Sequence, residues 1–231
     1  MLRESSGFMY KFVHYTWNPI KGECQHKCAY CYMKRYNEDI GQPRLADWEF
    51  RTNFGKGNSI FIGSSTDMFA PNIPSEWIVK VLDYCHQKNN SDKANTFLLQ
   101  SKNPKRFLDF VNHPIAKHVV FGTTIETNRY IPDIMNKAPK IEDRVEAMEK
   151  IANLGFRTMI TAEPLMQFDH TDMVSIIKRC QPRLVAIGRN TRRDIILPEP
   201  TSEEVQLLVN ELRKCIPKVH IKDNHNGWDI K

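Results

Sequence analysis

Gly22-Glu23-Cys24-Gln25-His26-Lys27-Cys28-Ala29-Tyr30-Cys31-Tyr32 is the stretch on which the reading of this chain turns. Three thiols within eight residues of irregular chain are poor core material and suit a thiophilic metal. Structural zinc takes four ligands, and a closed iron–sulfur cube takes four thiolates. Only three cysteines are close together here. A [4Fe–4S] cube held by three leaves one iron open to an exogenous ligand. The competing assignment is zinc, bound by the three cysteines with His26 or a distant histidine. The other cysteines behave differently: Cys85, Cys180 and Cys215 each fall on the apolar stripe of a predicted helix, where a free cysteine acts as a small hydrophobe.

Working outward, short β-rich runs alternate with helical patterns. The expected strands are Tyr15–Pro19, Ser59–Gly63, Thr96–Gln100, His118–Thr123, Arg157–Thr161, Arg183–Ile187 and Lys218–Lys222. Their continuous apolar character predicts strands buried on both faces. Ile78, Val81, Leu82 and Cys85 mark one helix starting near Ser75. Val145, Met148 and Ala152 mark another, stopped by Gly155. Met173, Ile176, Ile177 and Cys180 mark a third. Thr201 and Glu204 have capping-box spacing ahead of Val205, Leu208, Leu212 and Cys215. Repeated strand–helix units predict a parallel sheet with right-handed crossovers. Too few units are present for an eight-fold barrel, so the expectation is an α/β fold in the form of a partial, open barrel, with a doubly wound sheet as the alternative.

The chain of 231 residues is 41% hydrophobic and 26% charged, which supports a packed core in a single domain spanning 1–231. The cysteine loop occupies about 22–33, Tyr36 to Gly57 is a long polar connection, and a loose tail is expected over about 223–231. Net charge is +6, compatible with an anionic partner and equally with an ordinary solvated surface. No apolar run is long enough for a membrane span and the N-terminus has no signal-peptide core, so the cytoplasm is the expected compartment.

The C-x3-C-x2-C spacing, with an aromatic residue before the last cysteine and a place just after the first strand, resembles the cluster loop of the radical S-adenosylmethionine (SAM) superfamily. Thr16-Trp17-Asn18-Pro19, Ser64-Ser65-Thr66-Asp67-Met68-Phe69 and Ala162-Glu163-Pro164-Leu165 are similar to an uncharacterised, phage-associated branch of it, a domain of unknown function. Asp143-Arg144 and the Ser/Thr-Asp turn are more distantly like spore photoproduct lyase. The resemblance implies a partial (β/α)6-type barrel of the radical SAM kind. It implies a [4Fe–4S] cluster on Cys24, Cys28 and Cys31, and SAM chelated at the open iron and cleaved to a 5′-deoxyadenosyl radical. An external electron donor such as flavodoxin or ferredoxin is implied too.

Under that resemblance, Ser64, Thr66 and Asp67 are the expected contacts of the SAM amino group, and Lys102 of its carboxylate. Thr123 and Thr124 are expected near the carboxylate, Glu126 at the ribose, and Glu163 at SAM or substrate. Tyr30 is expected over the cluster loop near the adenine. Two departures bear on the substrate. The chain reads Gly188-Arg189-Asn190 where the branch tends to Gly-Gly-Glu, and Lys222-Asp223-Asn224-His225-Asn226-Gly227 where it tends to Lys-Gln-Trp-Gly. Arg189, Arg192 and Arg193, with Lys222 and His225, are expected at the barrel mouth, where arginine forks suit phosphate, the alternative being an ordinary solvated basic loop. A nucleic acid base or nucleotide is therefore the favoured substrate, with a small metabolite or peptide as the rival. Trp17 and Trp228 are candidates for stacking on a base, although Trp17 has the setting of a core residue.

Overall fold

The computed structural model describes every residue except 8, 36–39, 91, 193, 225, 226, 229 and 231. Among the described residues there are ten strands: β1 (Arg3–Glu4), β2 (Tyr15–Trp17), β3 (Ile20–Lys21), β4 (Arg44–Leu45), β5 (Ser59–Ile62), β6 (Thr96–Gln100), β7 (Val119–Thr124), β8 (Arg157–Ala162), β9 (Leu184–Ile187) and β10 (Val219–Ile221). The helices are α1 (Ser75–Gln87), α2 (Pro132–Met135), α3 (Ile141–Asn153), α4 (His170–Arg179) and α5 (Ser202–Arg213). The main sheet runs β1-β2-β5-β6-β7-β8-β9-β10 and does not close; β1 is antiparallel to β2 and every later pairing is parallel. β3 and β4 form a separate ribbon. All seven expected strands are present, and the architecture is the expected open, partial β/α barrel.

Period-2 alternation divides the strand residues between two layers. Ile60, Ile62, Phe97, Leu99, Phe121, Ile160, Val185 and Ile187 face outward and join α1, α3, α4 and α5 in the large core. Phe61, Leu98, Met159 and Ala186 face inward, where Tyr10 and Val13 of the N-terminal segment cover them. A segment with no regular structure thus fills the apolar half of the concave face. At the C-terminal ends of the strands the same inward positions turn polar or small: Gln100, Gly122, Thr124, Thr161, Glu163, Gly188 and Lys222. That is where a parallel sheet places its chemistry.

The helices obey the expected stripes. Ile78, Val81, Leu82 and Cys85 are buried on α1, and Val145 and Met148 on α3. Gly155, at φ +86°, ends the α3 turn in the left-handed region that suits glycine. Thr201 and Glu204 form the capping box of α5. Between β6 and β7 the crossover is made of 3-10 turns that begin at Pro104 and Pro114.

Two expectations need correction. Cys215 is exposed, because α5 ends at Arg213 with Lys214 as its C-cap and the thiol sits in the turn beyond. Within the expected tail, Asn224 and Trp228 are buried. Neither tryptophan offers a face for a base. Trp17 is fully buried against Phe50, Phe54 and Tyr84, and Trp228 is buried under the Arg189 guanidinium at 5.6 Å.

Candidate active site

The cysteine loop leaves the barrel after β3 and is anchored from several directions. Gly22 has φ +113°, and a Cβ there would lie 2.4 Å from the Gln42 carbonyl oxygen, so only glycine allows the loop to pass. Thr66 donates to the Gly22 carbonyl at 2.7 Å. Ala29 N bonds the Ile134 carbonyl at 2.9 Å and Lys137 N bonds the His26 carbonyl at 3.0 Å. From the far side of the mouth, Arg192 donates to the carbonyls of Ala29 and Cys31 at 3.3 and 3.4 Å.

Asp67 is the main tie between β5 and this loop. Its Oδ2 accepts from His26 Nε2, Ser101 Oγ and the Lys102 backbone N–H, each at 2.9 Å, and its Oδ1 caps Phe69 N. Burial opposes ionisation of Asp67, but the His26 hydrogen bond and the other donors outweigh it and hold the carboxyl below its ordinary range. A carboxylate only accepts, so His26 Nε2 carries the proton of this hydrogen bond. Ser64 exchanges hydrogen bonds with the Asn18 side chain at 3.2 Å.

Burial, with the Asp67 charge next, pushes the Cys24 thiol up to about 12. Burial also raises Cys28, against the opposing pull of Lys102. Cys28 lies near enough to both Cys24 and Cys31 for their charges to be felt. Three soft donors on one anchored loop fit an iron–sulfur cluster chemically. Two buried polar atoms of the same loop, Gln25 Oε1 and His26 Nδ1, have no partner among the described residues. Such atoms cost about 1–3 kcal/mol each when unmet, which suits a loop shaped around a polar group. Among the described residues, no three His, Cys, Asp or Glu side chains are gathered about one point, so the thiols are close without being converged.

A second cluster lies beside the loop at the end of β7. Glu126 is fully buried and pairs with Arg144 Nη1 at 2.9 Å and with Lys102 Nζ at 3.5 Å, and it accepts from the Tyr30 hydroxyl. Arg144 is itself fully buried in α3 and also donates to the carbonyls of Thr124 and Pro139. Burial works against the Glu126 charge, yet Arg144 and Lys102 prevail and keep it below the ordinary carboxylate value. Burial and then Glu126 hold the Tyr30 phenol well above its ordinary value. Lys102 Nζ reaches Thr124 Oγ1 at 3.3 Å and stands over the Tyr30 ring at 5.3 Å. Thr123 points away from the mouth, donating to the Ser101 carbonyl at 2.7 Å.

Across the mouth, Glu163 follows β8. Its two oxygens hold Lys222 Nζ and Asn224 Nδ2, the latter at 2.8 Å. Asn224 also bonds the Arg189 carbonyl at 2.9 Å. Tyr10 lies beneath, its hydroxyl 2.8 Å from both Gln100 Oε1 and Thr161 Oγ1, with Lys222 Nζ 4.9 Å from its ring. Arg189 pairs with Glu199 and Arg192 with Asp194. Each described member of the expected basic cluster therefore faces a carboxylate; Arg193 and His225 lie outside the described residues. Two surface hollows of about 440 Å³ lie elsewhere, one along Glu4–Tyr15 and one beside the start of α4.

Tyr30, Lys102, Thr124 and Glu126 lie in one neighbourhood; sequence reasoning missed Arg144 as the partner of Glu126, His26 as that of Asp67, Tyr10 as that of Gln100 and Thr161, and Asn224 as that of Glu163. Arg144 left a signal: it interrupts the apolar stripe Ile141–Val145–Met148 of α3, and a charge in that position must be paired inside.

Comparison with solved structures gives the fold. A single-site mutant of spore photoproduct lyase is 10% identical and superposes with a TM-score of 0.66, over 95% of this chain and 80% of that one. Streptococcus suis SuiB bound to its precursor peptide is 12% identical with a TM-score of 0.63, over 89% and 48% of the two chains. The structure of anSMEcpe with bound AdoMet and a peptide is 11% identical with a TM-score of 0.51, over 89% and 63%. These are partial barrels of radical SAM enzymes, and this chain has that fold. No curated protein matches the sequence. Among the described residues, no helix is long and apolar enough to cross a membrane. The family model that matches is that of a protein of unknown function, DUF5131, over residues 9–167, and the chain belongs to that family.

Proposed function

We infer that this protein is a radical SAM enzyme that acts on a nucleic acid base or nucleotide. The observation that carries the reading is the coincidence of two features. The fold is that of enzymes solved with AdoMet bound, one of them spore photoproduct lyase with a dinucleoside spore photoproduct. The three-cysteine loop follows β2, the first strand of the parallel sheet, and the short β3. Cys24, Cys28 and Cys31 would hold a [4Fe–4S] cluster. Such a cluster supplies one electron and an open iron at which SAM is cleaved to methionine and a 5′-deoxyadenosyl radical.

The remaining roles belong to the chain itself. Ser64, Thr66 and Asp67 steady the start of the loop through Asn18, Gly22 and His26 and offer oxygens to the SAM amino group. Lys102 and Thr124 offer a cation and a hydroxyl for the SAM carboxylate. Glu126 acts from behind, fixing Lys102 and Tyr30 through its own tie to Arg144. Glu163, with Lys222 and Asn224, faces substrate. The N-terminal segment seals the apolar half of the concave face, which excludes water below the site. The electron would come from an external flavodoxin or ferredoxin.

The test is anaerobic reconstitution followed by iron and zinc analysis of wild type and of Cys24→Ala, Cys28→Ala, Cys31→Ala and Cys85→Ala. About four irons in wild type and in Cys85→Ala, and iron lost from the other three, is the expected pattern. One zinc and no iron would replace this reading with a zinc-stabilised binding module, for which His26, seated on Asp67, would supply the fourth ligand.

A further inference from the structure

Asn224 is 8% exposed, and its carboxamide is half satisfied. Nδ2 donates to Glu163 Oε1 and to the Arg189 carbonyl, which fixes the orientation of the amide, because both partners are acceptors. Oδ1 is buried and has no partner among the described residues. It packs against Gly188: a Cβ on Gly188 would lie 2.7 Å from this oxygen and 3.0 Å from Glu163 Oε1. The other oxygen of Glu163 holds the Lys222 ammonium, which stands over the Tyr10 ring. One carboxylate therefore sets side by side a bare acceptor, Asn224 Oδ1, and a cationic donor, Lys222 Nζ.

We propose that this corner, formed by Glu163, Gly188, Lys222 and Asn224, binds the lactam or imide edge of a nucleobase, and so selects thymine, uracil or an oxopurine over cytosine and adenine. The selection depends on one ring N–H. That N–H donates to Asn224 Oδ1 while the adjacent ring carbonyl accepts from Lys222. In a six-membered lactam the N–H and C=O lie on the same edge, as the corner requires; in a trans peptide they point opposite ways. Cytosine and adenine present a bare ring nitrogen there, which would set lone pair against lone pair and leave Oδ1 unmet. Gly188, lacking a Cβ, leaves the room in which the Asn224 amide and the Glu163 carboxylate sit together. The inference rests on the radical SAM reading for the chemistry done on the base, but not for the binding itself.

Oligo(dT) and oligo(dC) of equal length carry the same charge, so the ratio of their affinities reads the base edge alone. Fluorescence anisotropy on the full chain, with iron content and SAM cleavage followed on the same preparation, measures it. We expect oligo(dT) to bind about tenfold more tightly than oligo(dC), one good hydrogen-bonded edge being worth that much. Asn224→Ala should bring the ratio to about one while leaving iron uptake intact. An oligonucleotide of N3-methylthymidine, which alters no protein atom, should bind unchanged protein as oligo(dC) does. Equal binding of dT and dC, binding of neither, or a preference that survives Asn224→Ala would overturn the proposal. A dT preference in protein that takes up no iron and cleaves no SAM would keep the corner and end the radical reading. SAM cleavage without the preference would do the reverse.

Discussion

Two carboxylates, Glu126 just past β7 and Glu163 at the end of β8, sit on neighbouring strands at the same end of the barrel, and their surroundings differ. Glu126 is fully buried, and Arg144, Lys102 and Tyr30 converge on it. All four residues fall within the stretch matched by the family model. Glu163 keeps 18% of its side chain exposed, and its partners Lys222 and Asn224 come from beyond residue 167. The first carboxylate is part of the frame that steadies the cysteine loop. The second is open on one side and is completed by a segment outside the family match. Position at a strand end therefore does not by itself make a carboxylate a ligand for substrate; what closes over it decides.

The comparison can be broken at several points, most severely at the loop the first carboxylate supports. Cys24→Ala, Cys28→Ala or Cys31→Ala should abolish iron binding, whereas Cys85→Ala, buried on α1, should leave it unchanged by iron analysis. Retention of iron by any of the first three, or its loss from Cys85→Ala, would dissolve the division of the cysteines.

Next in size is Glu126→Gln, which leaves the fully buried Arg144 guanidinium without its counter-charge. Removing one partner of a buried pair costs about 3–5 kcal/mol, to be read by urea denaturation at neutral pH. Glu163→Gln, at the more open site, should cost about 1 kcal/mol of stability and do its damage in turnover. If the two substitutions cost the same stability, the contrast between frame and mouth fails.

The smallest effect concerns the exposed pair Arg129–Asp169 at the start of α4. The hydrogen bonds from Arg129 bring the Asp169 carboxyl down to about 2. Its contribution is present above the ordinary aspartate range and fades as pH falls from about 4 to about 2. Asp169→Asn should flatten the stability profile slightly in that window and remove the same small contribution at neutral pH, as expected for a solvated pair.

Much of this was legible in the sequence. Seven strands were visible as short, continuous apolar runs, and the capping box at Thr201 as a local spacing. The cysteine loop was visible because three thiols in irregular chain have few other uses. What escaped was non-local. Nothing near Asp67 announces His26 as its partner, and nothing in Lys222-Asp223-Asn224 says that the tail folds back onto Glu163. The N-terminal segment has no periodicity to show that Tyr10 covers the inner face. Cys215 was misplaced because its spacing continues the α5 stripe two residues past the point where the helix ends.

The most direct measurement is of 5′-deoxyadenosine. Protein reconstituted without oxygen is mixed with dithionite and SAM, and the products are separated by chromatography, with Cys28→Ala as the control. Formation of 5′-deoxyadenosine by wild type and not by Cys28→Ala is the predicted result. Wild-type protein that carries iron but leaves SAM intact, or that carries one zinc and no iron, would contradict the assignment of radical chemistry to this loop.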